Sequence, residues 1–183
     1  MGAILDIIGS YVFKAAMVGI ILATSISLND VMVEKGQVTN LEKNLNVAMS
    51  VLEWDLRNIG YNYITSAILV AQSNELQYYA DVDNNGSIET VRYYLTAVST
   101  TLAGEPVTRY ELVRTVNGVG NTTVQRIVSL EFSYQDASGN ATTVPSSVRG
   151  IKVNITVDSP VTVDDRILTA SRDFTIFPAN LSL

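Results

Sequence analysis

Residues 15–28 read AAMVGIILATSISL, an uncharged and mostly apolar run, and residues 38–61 read VTNLEKNLNVAMSVLEWDLRNIGY, where apolar residues become periodic. In the second stretch Val38, Leu41, Leu45, Ala48, Leu52, Leu56 and Ile59 recur at spacings of three and four, which puts them on one helical face. Glu42, Lys43, Asn46, Glu53 and Arg57 take the other faces. Gly60 stands where a left-handed C-cap favours glycine. Gly36 costs about 1 kcal/mol relative to alanine inside a helix, so it is the expected place for a kink. No proline precedes Pro106 to force a break. A helix reaching from the N-terminus to about Tyr61 would be a rod of roughly 85 Å. Its apolar first half lies beyond the reach of a small globular part and needs lipid or other copies of the chain.

From Tyr63 the pattern turns to strands. ELQYYAD and IETVRYYL flank residues 82–87, VDNNGS, and Asn-Gly is a strong hairpin signal. Thr108–Val116 reads as a strand closed by Asn117-Gly118-Val119-Gly120. Val128, Leu130, Phe132 and Tyr134 alternate with polar residues, as do Ile151, Val153, Ile155 and Val157, with a turn at residues 136–140 between them. A last strand runs from about Ile167 to Phe177. This alternation predicts that Leu130, Phe132, Ile151, Val153 and Ile155 point inward. The fold class is therefore α+β: a long N-terminal helix, apolar then amphipathic, packed on an antiparallel sheet of six or so strands. The expected organisation is an apolar helix over 1–28, its amphipathic continuation over 29–60 and a β-rich head over 61–183.

Composition narrows the function. The chain has 183 residues, 47% hydrophobic and only 16% charged, with a net charge of −6. Without a basic stripe there is no electrostatic footprint for nucleic acid. With no cysteine and no histidine, a thiolate or imidazole metal site, a cysteine nucleophile and a Ser-His-Asp relay are all excluded. An enzyme is not expected, and no cofactor is required.

Asp6 and Lys14 are the two charges among the first 28 residues. There is neither a basic n-region nor a change to mature-type sequence after a small-residue site, so a cleaved signal peptide is not expected. About 20 apolar residues suffice to cross a bilayer, and this segment supplies them. Lys14 at its middle would cost ~2.5–3.5 kcal/mol in lipid unless it snorkels or finds a partner. The two charges lie about two turns apart and do not meet within one helix. In a staggered bundle, Asp6 of one copy meets Lys14 or the terminal amine of another, and such a pair fixes register. The alternative is a plain membrane anchor with Lys14 snorkelling.

Two stretches together resemble type IV pilin-like proteins, especially the minor pilins and the J-type pseudopilins of type II secretion. The first is Leu52-Glu53-Trp54-Asp55-Leu56-Arg57-Asn58-Ile59-Gly60-Tyr61, similar to the end of that family's long helix. The second is the order YYADVDNNGSIETVRYYL, VSLEFSYQDASGN and VRGIKVNITV. The likeness covers roughly residues 40–160. The N-terminus departs from the family, with Met1-Gly2-Ala3-Ile4-Leu5-Asp6 in place of a basic leader followed by Phe-Thr-Leu-Ile-Glu. The resemblance implies a subunit of an extracellular filament that polymerises through its N-terminal helix. Its partners would be further copies, a membrane assembly machine and the inner membrane before assembly. The alternatives are a low-copy minor pilin or pseudopilin, and a single-pass anchored β domain that binds a ligand.

Three smaller patterns carry alternatives. Asp81, Asp83 and Asn85 before Gly86 copy the first half of a calcium loop, but Arg92 stands where a bidentate glutamate belongs. Asp, Asn and Gly are also what a plain turn prefers. Tyr61, Tyr63, Tyr78, Tyr79, Tyr93, Tyr94, Tyr110 and Tyr134 read as core and sheet-face residues rather than an aromatic conduit. Asn-x-Ser/Thr occurs at Asn85, Asn121, Asn140, Asn154 and Asn180. Asn121 and Asn140 are the preferred glycosylation candidates, on the expectation that both lie in turns.

Overall fold

The protein is described from a computed structural model covering residues 2–63, 66–102, 104–163 and 166–181, with side chains in these ranges except at 2–8, 161 and 163. Helix α1 (Gly2–Arg57) is followed by strands β1 (Ile68–Gln72), β2 (Glu75–Ala80), β3 (Glu89–Leu102), β4 (Glu105–Val116), β5 (Val119–Gln135), β6 (Gly150–Val163) and β7 (Arg166–Ile176). The backbone is helical through Gly36. The chain forms two compact units, Met1–Gln37 and Val38–Leu183.

In the second unit the strands form one antiparallel sheet in chain order, β1 to β7. The end of α1 packs on it through Leu45, Met49, Leu52, Leu56 and Ile59, all buried. Met49 rather than Ala48 carries that turn of the stripe, while Val38, Leu41 and Ala48 are half-buried. Facing them are Tyr78, Tyr93, Leu112, Ile127, Phe132 and Val153. The helix ends at Arg57, and Gly60, three residues on with a left-handed φ of +75°, is not its C-cap: its N–H donates to the Tyr79 carbonyl at 2.9 Å instead of to a carbonyl of the helix. A Cβ at Gly60 would lie 3.1 Å from that of Ala67 and 3.3 Å from that of Asn180, so close packing as well as the turn demands glycine.

Leu130, Phe132, Ile151, Val153 and Ile155 all point inward, as the alternation predicts. Val128 does not: it is 39% exposed, and Ile127 is buried in its place. The reason is a bulge. Arg126 sits in the left-handed region with φ +58°, and the β5–β6 register shifts between Ile127 and Ser129. Ile127 pairs with Tyr110 of β4 and with Val157 of β6, so the first part of β5 follows β4 and the second follows β6.

The turn between β4 and β5 is tighter than expected: Asn117 and Gly118 both take positive φ (51° and 83°), and β5 already begins at Val119. β2 and β3 pair as the expected hairpin, with Asn85-Gly86 inside the longer connection between Ala80 and Glu89.

Candidate functional site

Every residue from Gly9 to Val33 is exposed. Between Tyr11 and Leu28 this includes ten large apolar side chains, with Phe13 at 66% and Ile20 at 64%. Burying such side chains fully is worth ~1.5–3 kcal/mol each, on the order of 15–30 kcal/mol together as an upper bound. That sum exceeds the ~5–15 kcal/mol net stability of an ordinary domain, so this surface calls for an apolar environment, whether lipid or protein. Polar groups inside it are muted. Thr24 Oγ1 donates to the carbonyls of Ile20 and Ile21, each at 2.9 Å. The Lys14 ammonium stands 5.9 Å from the centroid of the Tyr11 ring, a cation–π distance, and is otherwise exposed. Asp6 belongs to α1, but its side chain lies outside the described residues. By length and composition this helix suffices to cross a membrane.

The loop after β2 is built around Asp81, which is 2% exposed. Its Oδ1 accepts from Asn85 N–H at 3.0 Å. Its Oδ2 accepts from Gly86 N–H at 3.0 Å and from Asn62 Nδ2 at 2.8 Å. The Asn62 bond first, and then the backbone donors, hold this carboxyl below its ordinary pKa. Asp83 accepts from the backbone and side-chain N–H groups of Asn85, and Asn85 Oδ1 accepts from Ser87 N–H at 2.7 Å. One oxygen each of Asp81, Asp83 and Glu89 lie within 4.8 Å of one another, so Glu89 joins the two aspartates of the candidate set at a distance a divalent cation could span. Glu89 already accepts from Val82 N–H at 3.0 Å. These bonds clamp a turn.

Asn140 is exposed in the turn after β5, its N–H bonded to Asp136 Oδ1 at 2.9 Å. Asn121 is exposed too, but it lies in β5 opposite Arg114, not in a turn. The hairpin is tighter than the sequence suggested. Among the tyrosines, Tyr78, Tyr93 and Tyr134 are core residues, whereas Tyr61 and Tyr110 are 38% exposed.

Two buried charge clusters escape a reading by motif. Asp55, 1% exposed on α1, accepts from Tyr93 Oη and from Arg114 Nε at Oδ2, and from Arg114 Nη2 at Oδ1 (3.2 Å). Burial alone would lower the Arg114 pKa, but the Asp55 carboxylate outweighs it and the guanidinium is held above its usual value. Burial, then Asp55, pushes the Tyr93 hydroxyl up. A signal existed: Asp55 is three residues after Leu52 and four before Ile59, on the buried stripe. The second cluster gathers where β4, β5 and β6 diverge. Asp158 Oδ2 accepts from Arg109 Nε at 2.7 Å, and Arg126 Nε stands 3.0 Å from Oδ1 outside hydrogen-bond geometry.

No protein-family model matches the chain, and a search of curated proteins finds no similar one.

Proposed function

We propose that this chain is a structural subunit of an extracellular, type IV pilus-like filament, polymerising through its N-terminal helix after a membrane-inserted stage. The observation that carries the reading is the exposed apolar surface from Tyr11 to Leu28, far larger than a soluble monomer tolerates. A helix followed by an antiparallel sheet unit, and the pilin-like order of motifs over residues 40–160, support it further. In this reading further copies cover the apolar surface, the sheet unit faces solvent, and no catalytic step is involved. Asp6 and Lys14 are the charges that fix register between copies, because an unpaired charge in an apolar bundle is costly and a paired one permits few alignments.

Electron microscopy of full-length protein after detergent removal, alongside material sheared from the native cell surface, tests this. Filaments containing the chain as a dominant component are expected. Monodisperse particles in the first and no filaments in the second overturn it. Filaments that hold the chain only at low copy would favour a minor subunit instead.

A further inference from the structure

The two end strands of the sheet differ in what lies beside them. β1 is closed off by its own chain. The Ser73 carbonyl just past it accepts from Phe132 N–H at 2.8 Å, the Gln72 carbonyl accepts from Tyr134 Oη at 2.8 Å, and the turn Pro145–Ser147 packs on the strand. On the outer side of β7 no strand pairs among the described residues. The ladder tells which backbone groups are left there. Phe132 turns its N–H away from β6, so its partner Val153 turns toward β7, and Phe174 opposite Val153 turns back to β6. Alternation then leaves Thr169, Ser171, Asp173 and Thr175 with N–H and C=O pointing out from the sheet edge.

Long edge strands usually carry a guard against pairing. β7 runs 11 residues without lysine or proline, and its register to β6 is unbroken over residues 169–176. Its Arg172 donates to Asn46 Oδ1 of α1 at 2.7 and 3.0 Å, so it is tied back to the helix rather than free to cover the edge. The gaps left where β5 bends, at residues 105–109 and 158–163, are shorter and carry Pro106 and Pro160.

We infer that β7 pairs antiparallel with β7 of a second copy. The closed β1 edge denies it a head-to-tail partner, so a like edge is what remains. Outward residues must meet outward residues, so the two-fold axis passes through a residue and not between two. Centred on Ser171, the midpoint of β7, the pairing uses the whole strand, with Thr169 facing Asp173 and Leu168 facing Phe174. Centred on Arg172 or Asp173, it sets like charges directly opposite; centred on Ala170, it sets Asp173 against Ile167. The contact closes on itself, so it joins two chains, or two filaments side by side, and does not rest on the filament reading.

The chain has no cysteine, so introduced cysteines report the register. In full-length protein in mild detergent, oxidised Ser171→Cys should give a linked dimer, because such opposed residues lie ~5.5 Å apart at Cα. Thr169→Cys alone and Asp173→Cys alone should give none, their copies being on the order of 13 Å apart. The two mixed should link. Adding Ser171→Lys to both chains of that mixed pair should lower the linked yield about tenfold, and Ser171→Lys on one with Ser171→Glu on the other should restore it. No link at Ser171, equal linking at all three positions alone, or a yield that Ser171→Lys leaves unchanged overturns the edge pairing. Each of these leaves the filament reading standing.

Discussion

Residues 9–33 and 45–59 belong to one helix and are comparably rich in apolar side chains, yet they have opposite fates. In the first stretch every residue is exposed; in the second Leu45, Met49, Leu52, Leu56 and Ile59 are buried against a sheet of the same chain. The difference lies in the spacing. In the second stretch a continuous stripe of apolar residues is satisfied by one sheet, and only Val47, Val51 and Trp54 among its large apolar side chains stay exposed, whereas a stretch apolar all round needs an apolar medium or several partners. Changes in the sheet-packed stretch and its core should therefore register as stability, and changes in the exposed stretch as assembly.

The largest expected loss comes from Asp55→Ala, which strips Arg114 and Tyr93 of their shared acceptor. Breaking a buried pair from one side costs about 3–5 kcal/mol, measurable by denaturant unfolding of the full chain in mild detergent. An effect near that of a surface substitution would mean the cluster is solvated and not a lock between helix and sheet. Phe132→Ala should cost nearly as much, ~3–5 kcal/mol as a large-to-small change in a packed core, and a small loss would reverse the β5 phase.

Gly60→Ala should destabilise by about 1–2 kcal/mol, from the left-handed backbone alone, and by more if Ala67 and Asn180 do not yield. A smaller effect is expected in acid. Hydrogen bonds hold the Asp81 carboxyl, through Asn62 first, and the Asp136 carboxyl, through the Asn140 N–H first, below their ordinary pKa. The native state then binds these protons less readily than the unfolded chain. Their contribution is fully present above about pH 4 and is lost as pH falls through the depressed folded values. Thermal melts from pH 7 to pH 2 should fall at the acid end, and Asp81→Asn should flatten that fall. An unchanged acid limb in that variant would assign the slope to other groups.

The smallest effect on melting should come from Ile21→Ser, within about 0.5 kcal/mol, because Ile21 is 58% exposed. Its effect on filament yield should be large. A melting loss comparable with Phe132→Ala would break the contrast between the two stretches.

The legible parts of the chain were those governed by local spacing. Helical periodicity located the buried stripe, and strict alternation located the inward side chains of β5 and β6. Asp55 was legible from its phase on the helix once apolar residues alone were no longer counted as core. The lengths of the turns were harder, because Asn85-Gly86 and Asn117-Gly118 look alike in one dimension. Only the carboxylate of Asp81, drawing in the N–H groups of Asn85 and Gly86 and the Asn62 side chain, separates a clamped loop from a tight turn.

By itself, the sequence determined the α+β class, the length and polarity of the helix, the inward phase of the central strands, and the surplus of apolar side chains in the first half of the helix. These follow from periods of 3.6 and 2 and from composition, which act over a few residues. The tertiary structure alone decided that β5 bends at Arg126 and hands its pairing from β4 to β6. It alone brought Arg109 and Arg126 to Asp158. A bulge shifts register by one residue, and ion pairs across diverging strands join positions tens of residues apart, so neither leaves a local trace.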